Sequence, residues 1–146
     1  MKYILALCAS IAAVSATPLL AQDQVFGSDE SEWSNDGECD DRRFTGAGMA
    51  AELSTQNIGK DGTDCRDLAS SGSIQLWDMT AAVQATQCSS LDFGNDSGDY
   101  ALDGECDDPR FEGIGAASVL SQSDLMADAT DCSALCGYGA IALRDY

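Results

Sequence analysis

The sequence predicts an α+β protein made of two tandem, disulfide-stapled modules, each with an acidic loop, a short helix and a terminal strand. The stretch from Phe26 to Trp77 repeats without a gap as Phe93 to Arg144, with 24 identical residues in 52 positions. Six of the seven cysteines follow the N-terminal apolar segment, and four of those six are shared between the copies. We therefore divide the chain into a signal peptide (1–21), module 1 (22–77), a structured connector (78–92) and module 2 (93–146).

Residues 1–21 have the pattern of a secretory signal peptide. Lys2 is followed by an apolar run from Ile4 to Val14 and then by small residues, which favours cleavage after Ala21, with Ala16 as the other candidate. Cys8 follows a leucine instead of a small residue, so we do not interpret it as a lipid anchor. The apolar run is too short to cross a bilayer. We expect a secreted or periplasmic protein without a membrane span.

The chain is strongly acidic, with 25 acidic residues against 7 basic ones and a net charge of −18. Removal of the signal peptide takes away only Lys2 among these charges and leaves −19. No basic patch is available to displace counterions from phosphates, which argues against nucleic acid and anionic membranes as partners. Divalent cations and basic proteins are the partners that this charge favours.

The repeat restricts the cysteine pairing, because equivalent cysteines are expected to pair equivalently. Cys39 and Cys65 of module 1 match two cysteines of module 2, and two further cysteines occur in the second half alone. The expected bridges are Cys39–Cys65, Cys106–Cys132 and Cys88–Cys136. Each of the first two closes a loop that stabilises the fold by roughly 3 to 4 kcal/mol in a chain-entropy account. Zinc-bound thiolates are the alternative, but the chain lacks histidine.

Local patterns predict the elements of each module. Apolar residues at approximately helical spacing predict helices over Met49 to Ile58 and Ala116 to Met126. A tight turn is expected at the second cysteine of each copy. Alternating apolar residues then predict strands over Gly72 to Trp77 and Gly139 to Arg144. The stretch from Asp78 to Gln87 is compatible with a helix and predicts a structured connector.

The acidic loop of each copy is the candidate metal site. Five carboxylates recur at equivalent positions, and a glycine within each run allows the backbone to turn around an ion. Calcium takes six to eight oxygen ligands in a tolerant geometry, which suits such a loop, while magnesium and manganese remain alternatives. The spacing is not that of an EF-hand. The predicted ligands are Asp29, Asp36, Glu38, Asp40 and Asp41 in module 1, with Asp96, Asp103, Glu105, Asp107 and Asp108 in module 2.

A metal-free loop is the competing interpretation. Arg43 and Arg110 are shared between the copies, lie two residues after the paired aspartates, and offer bidentate contacts to a carboxylate. Aspartates also form turns and cap helices without any metal. For four further shared aspartates near the bridges we expect that plainer role of turn and cap formation: Asp61, Asp64, Asp128 and Asp131.

Aromatic residues are shared as well, and in modules this small we expect them to form the core. Phe26, Trp33 and Phe44 of module 1 match Phe93, Tyr100 and Phe111 of module 2. Ligand stacking is the alternative role. Trp77 has no aromatic counterpart and is a candidate for contact with a partner.

Catalysis has little support in the sequence. Histidine is absent, the cysteines are expected to be oxidised, and no nucleophile elbow or phosphate-binding glycine loop is present. Paired carboxylates of a glycosidase type are the remaining option, but the acidic residues occur equally in both copies instead of forming one asymmetric cleft. We therefore expect a protein that is not an enzyme.

Three motifs together resemble a small cysteine-containing repeat of secreted bacterial proteins. They are Phe-Gly-x-Asp, Asp-Gly-Glu-Cys-Asp-Asp-Pro-Arg-Phe and Asp-x-Thr-Asp-Cys, and module 1 departs by having Arg42 in place of the proline. That repeat also occurs beside peptidase-like domains, so the resemblance implies an accessory or recognition role and a peptidase-like partner. A cysteine beside an Asp-Gly run is also similar to the extracellular calcium-binding Excalibur motif, although the regular Asp-x-Asp-x-Asp-Gly spacing is missing.

The sequence thus leads to three hypotheses for function. The first is a secreted interaction module ordered by calcium in its acidic loops. The second is a metal-free interaction or inhibitor protein for a basic or peptidase-like partner. The third is a carboxylate-based hydrolase.

Overall fold

The structure is a computed structural model that describes residues 25–146. The predicted signal peptide, both candidate cleavage sites and Cys8 lie outside the described residues. Within residues 25–146, no helix is both long enough and apolar enough to cross a membrane.

The two modules have related element orders, and the segment between them contains a helix. Module 1 comprises β1 (Cys39–Asp41), β2 (Phe44–Gly46), β3 (Met49–Ser54), α1 (Gly62–Ser71) and β4 (Ile74–Leu76). The predicted connector contains α2 (Met79–Ala85), which begins at the capping side chain of Asp78. Module 2 comprises β5 (Phe111–Gly113), β6 (Val119–Leu120), α3 (Ala129–Gly137) and β7 (Ile141–Leu143).

Each module has its own two-stranded antiparallel sheet, β2 with β4 and β5 with β7. The strands of the first pair approach closely at Gly46, where a Cβ atom would lie 2.3 Å from the carbonyl oxygen of Ser73. Gly113 has the same position in the second pair. Glycine is therefore required where the terminal strand of each module pairs with β2 or β5. The strands predicted at the module ends are confirmed as β4 and β7.

A third sheet joins the modules, in the order β1-β3-β6. Strand β3 runs parallel to β1 and antiparallel to β6, and in the second pair Leu53 lies opposite Leu120. These two leucines occupy equivalent positions of the repeat. They are buried with Ala117 in a small core shared by both modules.

The predicted helices over Met49 to Ile58 and Ala116 to Met126 are wrong. The first stretch forms β3 and a 3-10 turn at Thr55–Asn57, and the second contains β6 and a 3-10 turn at Gln122–Asp124. Strand pairing, on both sides of β3 and on one side of β6, outweighs the helical spacing of a few apolar residues. The helix of each module lies instead at the second cysteine, where we expected a turn, and α1 ends at Gly72 in a left-handed conformation.

All three expected disulfides are present: Cys39–Cys65, Cys88–Cys136 and Cys106–Cys132. The first and third attach β1 or its counterpart to the helix of the same module. Their sulfur-bearing residues are fully buried at the centre of each module's core. The bridges therefore hold the acidic loop against the first turn of the helix.

The aromatic prediction is correct for two of the three shared pairs and wrong for the third. Phe44 and Phe111 are buried, and Phe26 and Phe93 stack on them at 5.5 Å between ring centroids. Trp33, however, is 53 % exposed, and its counterpart Tyr100 is 60 % exposed. These two rings lie on the surface of the acidic loops and contribute little to the core.

The junction between modules contains a buried ion-pair network. Arg42 donates two hydrogen bonds to the Glu112 carboxylate, at 2.9 and 2.8 Å, and Arg144 donates a third at 2.7 Å. The equivalent positions in the other copy hold Pro109, Thr45 and Trp77. The network is thus built from three positions at which the copies differ, so this contact between the modules is not symmetric.

Candidate functional site

The fold brings together two aspartates of each module that are far apart in sequence. Asp40 lies in β1 and Asp61 immediately precedes α1, and the Cys39–Cys65 bridge holds these two elements together. The backbone N–H of Asp40 donates to Asp61 Oδ2 at 2.8 Å. Asp61 is fully buried, and Asp40 is 5 % exposed. These two aspartates, joined by this backbone-to-side-chain hydrogen bond, form a buried pair at the base of the acidic loop.

Each of these carboxylates has an oxygen that is not satisfied by the protein. Asp40 Oδ2 and Asp61 Oδ1 are buried and have no hydrogen-bond partner among residues 25–146. Burial, reinforced by the negative charges of Asp36 and Asp61, raises the pKa of Asp40 to about 7. Burial also raises the pKa of Asp61 to about 6, although the N–H of Asp40 acts in the opposite direction. The pair therefore favours a bound proton or a bound cation near neutral pH.

Further carboxylates surround the buried pair. Asp36, Glu38 and Asp64 all raise the pKa of Asp40 through charge repulsion. Asp36 and Glu38 are exposed, and Asp64 is half-buried. The loop is ordered by its own hydrogen bonds, since Asp64 Oδ2 accepts from the backbone N–H of Asp36 at 2.9 Å. Asp36, Glu38 and Asp64 therefore add negative charge beside the buried pair.

Module 2 repeats the arrangement. The backbone N–H of Asp107 donates to Asp128 Oδ2 at 2.9 Å, and both side chains are buried. Asp107 Oδ2 and Asp128 Oδ1 have no partner in the described part of the chain. Burial together with the charge of Asp103 raises the pKa of Asp107 to about 6, and burial raises that of Asp128. The same two atoms are thus unsatisfied in both copies.

The neighbouring aspartate has a different role, because it is paired with arginine. The guanidinium of Arg43 donates from Nε and Nη2 to the carboxylate of Asp41, and the backbone N–H of Gly59 donates to Asp41 Oδ2 at 2.7 Å. Asp108 and Arg110 form the same pair in module 2. The sequence-based alternative of an arginine–carboxylate network therefore describes Asp41 and Asp108.

Asp29 acts as a helix cap. Its two oxygens accept hydrogen bonds from the backbone N–H and the hydroxyl of Thr63 in the first turn of α1, at 2.7 and 2.6 Å. These bonds, the hydroxyl first, lower the pKa of Asp29. Asp96 contacts Thr130 in the same way. The predicted ligand Asp29 thus caps the helix, whereas Asp61, for which we predicted a turn or cap role, occupies the N-cap position without a side-chain capping bond and accepts from the backbone N–H of Asp40 instead.

Any cation in this position would be held by oxygen. The sulfur of Cys65 lies 3.6 Å from Asp61 Oδ2, and that of Cys132 lies 3.5 Å from Asp128 Oδ2. Both sulfurs belong to disulfides and are not thiolates, so they are poor metal ligands. The ligand atoms that lie within 4.8 Å of one another are a carboxylate oxygen and the two sulfurs of the bridge, so carboxylate oxygen is the suitable donor here, which is typical of calcium, magnesium and manganese and unlike zinc sites.

The predicted ligands therefore separate into three groups. Asp40 and Asp107 are in the buried pairs, and Asp36, Glu38, Asp103 and Glu105 lie beside them. The third group accepts hydrogen bonds from neighbouring side chains and backbone, and comprises Asp29, Asp41, Asp96 and Asp108. Sequence reasoning did not include the second member of each pair, Asp61 and Asp128, although both belong to the shared motif Asp-x-Thr-Asp-Cys.

Comparison with known proteins adds no relative to this description: no family model, curated protein or solved structure matches the chain.

Proposed function

We propose that the protein is a secreted or periplasmic binding module whose two acidic loops are each ordered by a divalent cation, with Ca²⁺ as the first candidate. The supporting observation is the pair of buried, unsatisfied carboxylate oxygens in each module. A buried carboxylate oxygen without a partner is unfavourable, and a cation supplies both the missing contact and the missing charge. The proposal assigns no catalytic residue.

Three further observations support this proposal. Ca²⁺ accepts carboxylates in one- or two-oxygen contacts and tolerates irregular loops, whereas Mg²⁺ requires a near-octahedral arrangement. Four basic side chains are already held in ion pairs with other acids of the protein, so they do not neutralise the buried pairs. They are Arg42, Arg43, Arg110 and Arg144. Three disulfides are typical of proteins from oxidising compartments, where Ca²⁺ is also available.

A metal-free interaction or inhibitor protein is the second candidate. The observation that favours it is the Asp41–Arg43 pair, which orders part of the loop without any cation. In that case the buried pair of each module holds a proton, and the exposed acidic residues contact a basic or peptidase-like partner directly. The two candidates differ in whether a cation stabilises the fold.

Thermal unfolding of the oxidised protein distinguishes them. After chelator treatment, we expect millimolar Ca²⁺ to raise the unfolding midpoint by several degrees, since a ligand at 100 times its Kd adds about 2.7 kcal/mol per site. Calorimetric titration is expected to show two ions per chain. Asp61→Asn with Asp128→Asn removes one member of each pair and is expected to abolish the response.

Asp67→Asn is the matched control, because Asp67 is an exposed acid outside the site. It is expected to keep the full calcium response. An unchanged midpoint of the parent protein with both Ca²⁺ and Mg²⁺ would contradict the cation proposal and leave the metal-free module.

A further inference from the structure

A cleft of about 560 Å³ lies over the acidic loop of module 1 and extends to the junction with module 2. Its walls include the exposed ring of Trp33 and four exposed carboxylates, and Asp40 lies among its lining residues. The carboxylates are Glu32, Asp36, Glu38 and Glu52. Val119 of β6 forms part of the opposite side. The volume is that of a site for a small ligand or one long side chain.

The chemistry of this cleft is that of a receptor for an organic cation. An aromatic face attracts a cation electrostatically, and a guanidinium also stacks on the ring while it donates to carboxylates in its plane. Trp33 supplies the face, and the surrounding acids supply acceptors and negative charge. Asp40 adds a carboxylate that is 5 % exposed and has an oxygen without a partner in the described residues.

Packing does not explain why the ring is there. Trp33 is 53 % exposed, and Tyr100, at the equivalent position of module 2, is 60 % exposed. Both copies nevertheless have an aromatic residue at this position, directly preceded by an acid. A core residue would be buried, and a residue without a role would not need an aromatic ring in both copies. Contact with a ligand accounts for an aromatic residue on the surface of an acidic loop.

From this arrangement we infer that the cleft binds the guanidinium of an arginine side chain in a basic polypeptide. Trp33 stacks on the guanidinium, and Glu52 and the other exposed carboxylates of the cleft accept its hydrogen bonds. The inference extends the proposed binding role by naming the partner's chemistry. Asp40, Asp36 and Glu38 are shared with the proposed cation site. Trp33 and Glu52, however, are not part of the buried pair and Asp61 does not line the cleft, so substitutions at Trp33, Glu52 and Asp61 test the two proposals one at a time. The two proposals can therefore fail separately.

The test uses the oxidised protein and a capped tetra-arginine peptide, with the citrulline peptide as its neutral isostere. Trp77→Phe leaves Trp33 as the sole tryptophan, because the chain has two. In that variant we expect the arginine peptide, and not the citrulline peptide, to change the tryptophan fluorescence. Titration calorimetry is expected to show that Trp33→Ala weakens binding of the arginine peptide roughly fivefold to tenfold.

Two matched controls separate the cleft from diffuse attraction to an acidic protein. Tyr138 is an exposed aromatic residue outside the cleft, and Glu30 is an exposed glutamate outside it. Tyr138→Ala is expected to leave the affinity unchanged, and Glu52→Gln is expected to weaken binding more than Glu30→Gln. Equal affinities for Trp33→Ala and Tyr138→Ala, or an absence of peptide binding at low salt, would overturn the inference.

The double variant Asp61→Asn with Asp128→Asn keeps the two proposals distinguishable. If it removes the calcium response while peptide binding still depends on Trp33, both proposals stand. If the parent protein shows no calcium response but binds the peptide through Trp33, the cation proposal fails and the cleft remains. If the parent protein responds to calcium but peptide binding does not depend on Trp33, the cation proposal stands and the inference about the cleft fails.

Discussion

Replacing Asp40 by asparagine is expected to stabilise the calcium-free protein at pH 8, although the residue is buried. Its pKa in the folded protein is about 7 against an ordinary value of 3.8. Each unit of such a difference corresponds to about 1.4 kcal/mol, so the ionised group destabilises the fold by roughly 4 kcal/mol above pH 7. The asparagine amide also needs partners when buried, which offsets part of this gain. We expect a net increase of about 2 kcal/mol in the free energy of unfolding.

The pH dependence gives the sign of the effect. A raised pKa means that the folded protein holds the proton more tightly than the unfolded chain. The contribution of Asp40 is therefore fully favourable below about pH 4 and is lost as the pH rises through about 7. The advantage of Asp40→Asn over the parent should accordingly be absent at pH 4 and largest at pH 8. Adding Ca²⁺ at pH 8 should reverse the order, since the parent gains a ligand that the variant binds poorly.

Denaturant unfolding followed by tryptophan fluorescence, with disulfides intact and chelator present, measures these differences. Asp41→Asn is the neighbouring control, because it removes the carboxylate that pairs with Arg43 and is expected to destabilise the protein at pH 8. Opposite signs for two adjacent, buried aspartates would be difficult to explain by general damage. A destabilisation by Asp40→Asn that is equal at pH 4 and pH 8 would refute the reasoning.

Three further predictions concern stability and are measured by the same unfolding experiment. Glu112→Gln leaves two buried arginines without their counter-charge and should lower the free energy of unfolding by roughly 3 to 5 kcal/mol, whereas an exposed Glu30→Gln should have little effect. Leu102 is 67 % exposed at a φ of +71°, so Leu102→Gly should stabilise by about 1 kcal/mol; a loss would mean that its side chain packs. Replacing Cys88 and Cys136 together by alanine should cost at most about 4 kcal/mol, and an unaltered midpoint would show that the closed loop of 48 residues gives no stabilisation.

The duplication allowed the three disulfides to be predicted, because it limited the cysteine pairings to those in which equivalent cysteines of the two copies pair equivalently. Arginine two residues after an aspartate was also sufficient to suggest the Asp41–Arg43 pair, which is local. The helix was misplaced for a physical reason. Apolar spacing at Met49–Ser54 was compatible with a helix, but β3 is stabilised by strands from both modules, and such pairing is invisible to a local pattern.

The candidate site was predicted only in part. Asp40 was included because it belongs to a dense acidic run, whereas its contact with Asp61 spans 21 positions and exists because a disulfide joins their elements. The exposure of Trp33 was not predicted either. Burial of an aromatic residue is the usual outcome in a small module, and a surface location depends on where the loop lies in the fold.

The pairing of β3 with β6 indicates how such a chain is able to arise. Leu53 faces its own equivalent, Leu120, across an antiparallel pair, which is the geometry of an isologous contact about a two-fold axis. A single module therefore carries an edge strand that is complementary to that of an identical copy. Joining two copies makes their association intramolecular, so it no longer depends on protein concentration. Arg42, Glu112 and Arg144 then turn a symmetric pair into one with distinct halves, so a change in one acidic loop need not be matched in the other.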